Sequence, residues 1–165
     1  DERVNERWAQ VQNVYQRRAD LIPNLVETVK GYAQHERQTF QAVTEARSRL
    51  GGVTEIKADE LTEENLQKFQ QAQAGLSRAL QRLMVVSENY PQLKANQNFI
   101  RLQDELAGTE NRIAVERKRF NEAVQQYNRT IRRFPQKLIA SIFGFEKKVY
   151  FEAEKGSEQA PEVEF

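Results

Sequence analysis

Residues 96–134 read NQNFIRLQDELAGTENRIAVERKRFNEAVQQYNRTIRRF, and this stretch decides the fold. A stripe recurs through it at Phe99, Leu102, Leu106, Thr109, Ile113, Phe120, Val124, Tyr127, Ile131 and Phe134. The gaps are three, four or one double step of seven, so these positions share one face of an α-helix. Asn96 stands where the helix starts and Pro135 where it ends. An amphipathic helix this long is stable only with its stripe buried, so the rest of the chain must supply partner helices.

Upstream, Thr62-Glu63-Glu64 reads as an N-cap followed by acidic first-turn residues that complement the helix dipole. Leu66, Phe69, Gln73, Leu76, Leu80 and Leu83 follow at the same spacing toward Asn89, and Pro91 separates this helix from the next. Further upstream the series Val4, Trp8, Val11, Tyr15, Ile22, Leu25, Val29, Tyr32, Phe40, Val43, Leu50 predicts one helix over residues 4–50, closed by Gly51-Gly52. Pro23 lies inside it and removes an internal hydrogen bond, which predicts a kink near Ala19 to Ile22. Unbroken, that helix would be about 70 Å long. Residues 51–61 read as a loop, and 135–143 as a short amphipathic helix across one end.

Nothing alternates with period two over a useful length, apart from Val149 to Phe151 and the final residues. The sequence therefore predicts an all-α fold: an antiparallel bundle of three long helices, the first kinked, plus a short C-terminal helix. Residues 1–145 form one domain in this reading, and 146–165 an extended acidic tail. The helical pattern is already running at Val4 with no N-cap before it, so the sequence reads as entering inside a longer helix.

Composition removes most chemistry. The 165 residues include no Cys and one His. That excludes disulfides, zinc ribbons, iron–sulfur sites and a cysteine nucleophile. A Glu-rich bundle suggests a di-iron centre, which needs Glu-x-x-His on two helices. Only His35 exists, with Tyr32 three residues before it, and it reads as a surface or half-buried histidine. No glycine pattern fits a phosphate loop. No catalytic residue, metal ligand or cofactor site is predicted.

The formal charge of +1, from 25 Lys plus Arg against 24 Asp plus Glu, is a cancellation. The tail from Glu146 holds six Glu and three Lys. Residues 112–137 hold eight basic side chains against Glu116 and Glu122. Arg129, Arg132 and Arg133 in that stretch, and Arg17-Arg18, are candidates for a surface that meets anionic lipid or an acidic partner. A solvated, partly self-paired face is the simpler reading, and no nucleic-acid motif accompanies the charge. Asn24, Asn111, Asn121 and Asn128 sit in helical segments, where Asn is a poor helix former. They are the candidates for a polar layer between helices that fixes register, or for ligand contact. Val163-Glu164-Phe165 offers a C-terminal motif that a partner could capture by strand addition.

Residues 17–33, RRADLIPNLVETVKGYA, resemble the signature of bacterial LemA proteins. So do 88–96, ENYPQLKAN; 106–114, LAGTENRIA; 117–124, RKRFNEAV; Tyr127-Asn128; 150–154, YFEAE; and the terminal PEVEF. The blocks fall in the family's order along nearly the whole chain. The resemblance implies a LemA-like helical bundle of long antiparallel helices, tethered to the inner or cytoplasmic membrane by an N-terminal transmembrane helix that these residues do not include. One branch of that family is associated with magnetosome membranes. The resemblance implies no enzyme and carries over no catalytic set; for Pro23-Asn24 and Thr109-Glu110-Asn111 it implies structural roles. The expected function is a non-enzymatic, membrane-anchored scaffold or adaptor with a protein partner at the membrane. The alternatives are a small-ligand- or peptide-binding bundle, or an anionic-lipid contact.

Overall fold

The computed structural model of the chain describes residues 2–52, 56–132 and 148–151, and the regular structure among them is helical throughout. Five α-helices follow in order: α1 (Glu2–Lys30), α2 (Arg37–Ser48), α3 (Glu63–Ser87), the single turn α4 (Pro91–Lys94) and α5 (Gln97–Arg132). Short 3-10 turns occupy Arg49–Gly52 and Ala58–Glu60. The all-α bundle expected from the periodicity is present. Two expected starts are built as capping requires. Thr62 Oγ1 accepts from the Asn65 amide at 3.1 Å, and Asn96 Oδ1 accepts from the Phe99 amide at 3.0 Å.

The expected continuous helix over 4–50 is corrected by the structure. It ends at Lys30, turns through residues 31–36, and resumes as α2. Gly31 weakens the helix there, and Gln34, His35 and Glu36 give it no apolar side chain to bury across a full turn. Folding back lets Phe40, Val43, Ala46 and Leu50 join the same core as Leu25 and Val29. Each large side chain so buried contributes roughly 1.5–3 kcal/mol. A straight 70 Å rod would instead overhang α3, which at 25 residues is about 37 Å long. The fourth helix of the bundle is thus α2, split from the expected first helix. The expected short helix at 135–143 lies outside the described residues.

The chain runs up α1, down α2, up α3 and down α5. Trp8 packs on Phe120 while Thr28 meets Asn98, so α1 and α5 are antiparallel. Trp8 packs on Phe69 and Arg18 reaches Ser77, so α1 and α3 are parallel. Glu36 meets Tyr90 at one end of α2, and Arg47 meets Ala19 at the other.

The Arg47 contact follows from the proline. Pro23 has no N–H to give to the carbonyl of Ala19, four residues back. Arg47 Nε donates to that carbonyl at 3.1 Å, so α2 docks where the ladder of α1 lacks a bond. The α1 helix continues through Pro23, which faces solvent.

The core has two parts. One, around Ile22, Val29, Val43, Leu83, Leu93 and Phe99, lies under α2. The other is aromatic, with Trp8, Tyr15, Phe69, Phe120, Tyr127 and Phe151. At 12 residues and about 18 Å, α2 covers only the first. Over the second lies the loop at Ile56, whose carbonyl accepts from Trp8 Nε1 and Gln12 Nε2, each at 2.7 Å.

Candidate functional site

Between the two cores sits one buried cation. Tyr15 and Ile22 are seven apart, and Arg18 fills the stripe position between them, so helical geometry turns it inward. Arg18 is 1% exposed. Its Nη1 donates to Ser77 Oγ at 2.7 Å and to the Glu110 carboxylate at 3.2 and 3.3 Å. Its Nη2 donates to the Gln73 carbonyl and to Gln73 Oε1, both at 2.9 Å. The guanidinium stands 5.3 Å from the Tyr15 ring centroid. Arg18 Nε and Gln73 Nε2 are buried without a hydrogen-bond partner. The sequence expectation of a basic surface at Arg17-Arg18 is therefore corrected: Arg17 faces solvent and Arg18 does not.

This layer joins α1, α3 and α5. A guanidinium stays protonated and neither attacks nor accepts a proton, so its chemistry here is that of a fixed fork of donors. It fixes the relative register of three helices, since sliding any of them breaks several charge-assisted bonds. Glu110 keeps 42% of its side chain in solvent, so its charge is only half withdrawn from water.

The four asparagines do not meet in one layer. Asn24 and Asn111 are exposed, and the buried polar contact joining α1, α3 and α5 runs through Arg18, Gln73, Ser77 and Glu110. Asn121 and Asn128 act as a pair on one face of α5, and what they hold is main chain. Asn128, 3% exposed, accepts from the Lys148 amide at 2.7 Å and donates to the Lys148 carbonyl at 3.1 Å. Asn121 accepts from the Phe151 amide at 2.9 Å. Seven helical residues rise about 10.5 Å, and three extended residues span about 10 Å, so the two spacings match. Phe151 then enters the aromatic core at 5.4 Å from Phe120 and 6.2 Å from Trp8, with the Arg117 guanidinium 4.7 Å above its ring.

Arg129 and Arg132 are exposed in the last turn of α5, at the bundle end where α1 begins. Arg133, Val163 and Phe165 lie outside the described residues. His35 is exposed in the turn between α1 and α2. Among the described residues no group of three or more His, Asp or Glu side chains is placed to hold a metal ion. Two tyrosine hydroxyls are held above their ordinary pKa: Tyr127 by burial, and Tyr90 by burial, then by the charge of Glu36 and its hydrogen bond to that carboxylate.

The model of the LemA family matches residues 7–165. The chain belongs to the LemA family. It is 29% identical over 155 residues to magnetosome protein MamQ 2 of Paramagnetospirillum magneticum, covering 83% of this chain and 56% of that protein. It is 28% identical over 155 residues to magnetosome protein MamQ of Magnetospirillum gryphiswaldense, covering 82% and 56%. The chain thus spans a little over half the length of these curated relatives. Several of the matched residues have physical roles in the fold. Arg18 and Glu110 make the interhelix ion pair, Pro23 opens the carbonyl that Arg47 fills, and Asn121 and Asn128 grip residues 148–151. No helix among the described residues is long and apolar enough to cross a membrane.

Proposed function

We propose that this LemA chain is the helical rod of a membrane-anchored scaffold or adaptor that works through its surface and has no catalytic site. The observation that carries this reading is the Arg18 layer. Among the described residues, the guanidinium buried between the two cores spends both of its terminal nitrogens on tying α1, α3 and α5 together. Charged side chains lie exposed along the rod beside the apolar Val85, Ile100 and Val115, a mixture that suits protein contact. The relatives are named magnetosome proteins, and the membrane setting that the LemA resemblance implies is carried over to this chain as part of the proposal. Affinity capture of the full-length protein from solubilised membranes should recover a defined protein partner, and Glu110→Gln should leave that recovery intact. Hydrolase or transferase turnover that a single substitution in the Arg18 layer removes, in a folded variant, would overturn the reading.

A second reading is anionic-lipid contact at one end of the rod. Arg129 and Arg132 favour it, because they project from the end at which α1 begins. Each basic side chain near an anionic surface contributes about 1 kcal/mol. Flotation with anionic vesicles should weaken on R129E/R132E and on raising salt. Equal flotation with neutral and anionic vesicles would remove it.

A further inference from the structure

A second basic face runs along α3, away from the groove that holds residues 148–151. From Asn65 to Ser87 there is no Asp or Glu, and Lys68, Arg78 and Arg82 are the only charges. Between α2 and α3 lies an open groove of about 390 Å³. Its floor is Ala42, Ala46, Ala72, Gly75 and Ala79, side chains small enough to let another backbone approach closely. A Cβ placed on Gly75 would meet only the Arg78 guanidinium, at 3.8 Å. Arg49, Arg78 and Arg82 rim the groove against the single carboxylate of Glu45. Arg49 reaches Glu45 only at 4.0 Å with both side chains mostly in solvent, and Arg78 and Arg82 form no ion pair among the described residues. Such a rim suits an acidic peptide.

The chain carries one. Residues 152–165 hold five Glu and one Lys, against the net positive rim. Residues 148–151 run from Asn128 toward Asn121, antiparallel to α5 and hence in the direction of α3. They pass Glu63, Leu66 and Gln70, and the basic groove opens on the neighbouring face at Gln71. From Leu66 to Arg82 is about 24 Å along α3, whereas the residues after Phe151 span up to about 46 Å when extended. A segment tethered this close has an effective concentration of the order of millimolar, which favours it over a second copy.

We propose that the α2–α3 groove is a docking site for an acidic peptide, and that its occupant is the chain's own segment 152–165. The test compares amide spectra of the full chain, the chain ending at Phe151, and R78E/R82E. Truncation should shift the amides of Ala42, Ala46, Ala72, Gly75 and Ala79. R78E/R82E, with unchanged helicity, should move the amides of Glu158, Glu162 and Glu164 to their positions in a free peptide. Raised salt should do the same, and dilution should change nothing. Groove amides that ignore truncation, or segment amides that ignore charge reversal, would overturn the proposal. Shifts that fade on dilution would assign the groove to a second copy and overturn the occupant named here.

Discussion

Replacing Arg18 with Met tests whether the polar layer is a structural tie. Met keeps most of the stem volume and removes every donor. Ser77 is only half-buried and Glu110 reaches solvent, so both regain water. Gln73 is 3% exposed, and its side-chain oxygen and carbonyl each lose a donor at 2.9 Å. A buried acceptor left unpaired costs roughly 1–3 kcal/mol. Relief from burying a guanidinium offsets part of that, leaving about 2 kcal/mol. Glu110→Gln keeps an acceptor and removes a charge already screened by water, so it should cost under about 1 kcal/mol. Arg18→Met with Gln73→Leu lets the two cores merge, and should recover to within about 1 kcal/mol of the parent. Urea unfolding, followed in parallel by helicity and by Trp8 fluorescence, reads these as midpoint shifts at constant slope. A silent Arg18→Met, a Glu110→Gln that costs more than Arg18→Met, or a double variant less stable than the single would refute the structural tie.

Three further outcomes follow from the geometry. Asn128→Ala removes both bonds to Lys148 and should cost about 2 kcal/mol; Phe151→Ala should cost about 3–4 kcal/mol. Both should red-shift Trp8 emission, and an unmoved spectrum would contradict the clamp. Arg47→Met should cost about 1 kcal/mol when residue 23 is Pro and almost nothing beside Pro23→Ala, whose new N–H serves the Ala19 carbonyl; equal costs in a double-mutant cycle would refute that link. Tyr127 and Tyr90 should ionise above the exposed tyrosines in an absorbance titration. Their protonated form is the one the fold favours, so stability is full below about pH 10, where the unfolded chain begins to lose these protons, and falls as pH rises further. Glu36→Gln should lower the Tyr90 midpoint and leave Tyr127 unmoved.

The long helices were legible because their stripes are strictly periodic and their caps are chemical: Thr62 and Asn96 each do what an N-cap does. The split at residues 31–36 carried a visible signal, an eight-residue gap between Tyr32 and Phe40 with Gly31 beside it. The stripe resumes in phase on the far side, so periodicity does not separate a long rod from a hairpin, and only packing decides between them. Arg18 was hidden by its own charge. An apolar stripe that skips from Tyr15 to Ile22 contains a vacant position, and a cation in that position is buried only if other helices supply acceptors, which a single helix pattern does not report. Asn121 and Asn128 were recognisable as a seven-residue pair. Their partner is main chain from beyond α5, and main-chain hydrogen bonding leaves no mark in side-chain pattern. The basic face of α3 was visible in the absence of any acidic residue from Asn65 to Ser87, but a whole-chain charge near zero conceals it.

In the function proposed above, this LemA rod acts through its surface while its buried polar layer only holds the helices in register. Proximity labelling in cells tests that, comparing the parent, Arg18→Met with Gln73→Leu, and R129E/R132E. One defined set of neighbours is expected, the same for the parent and the core variant and altered by the surface variant. A folded core variant that abolishes the protein's cellular role while its neighbours stay unchanged would contradict the proposed function.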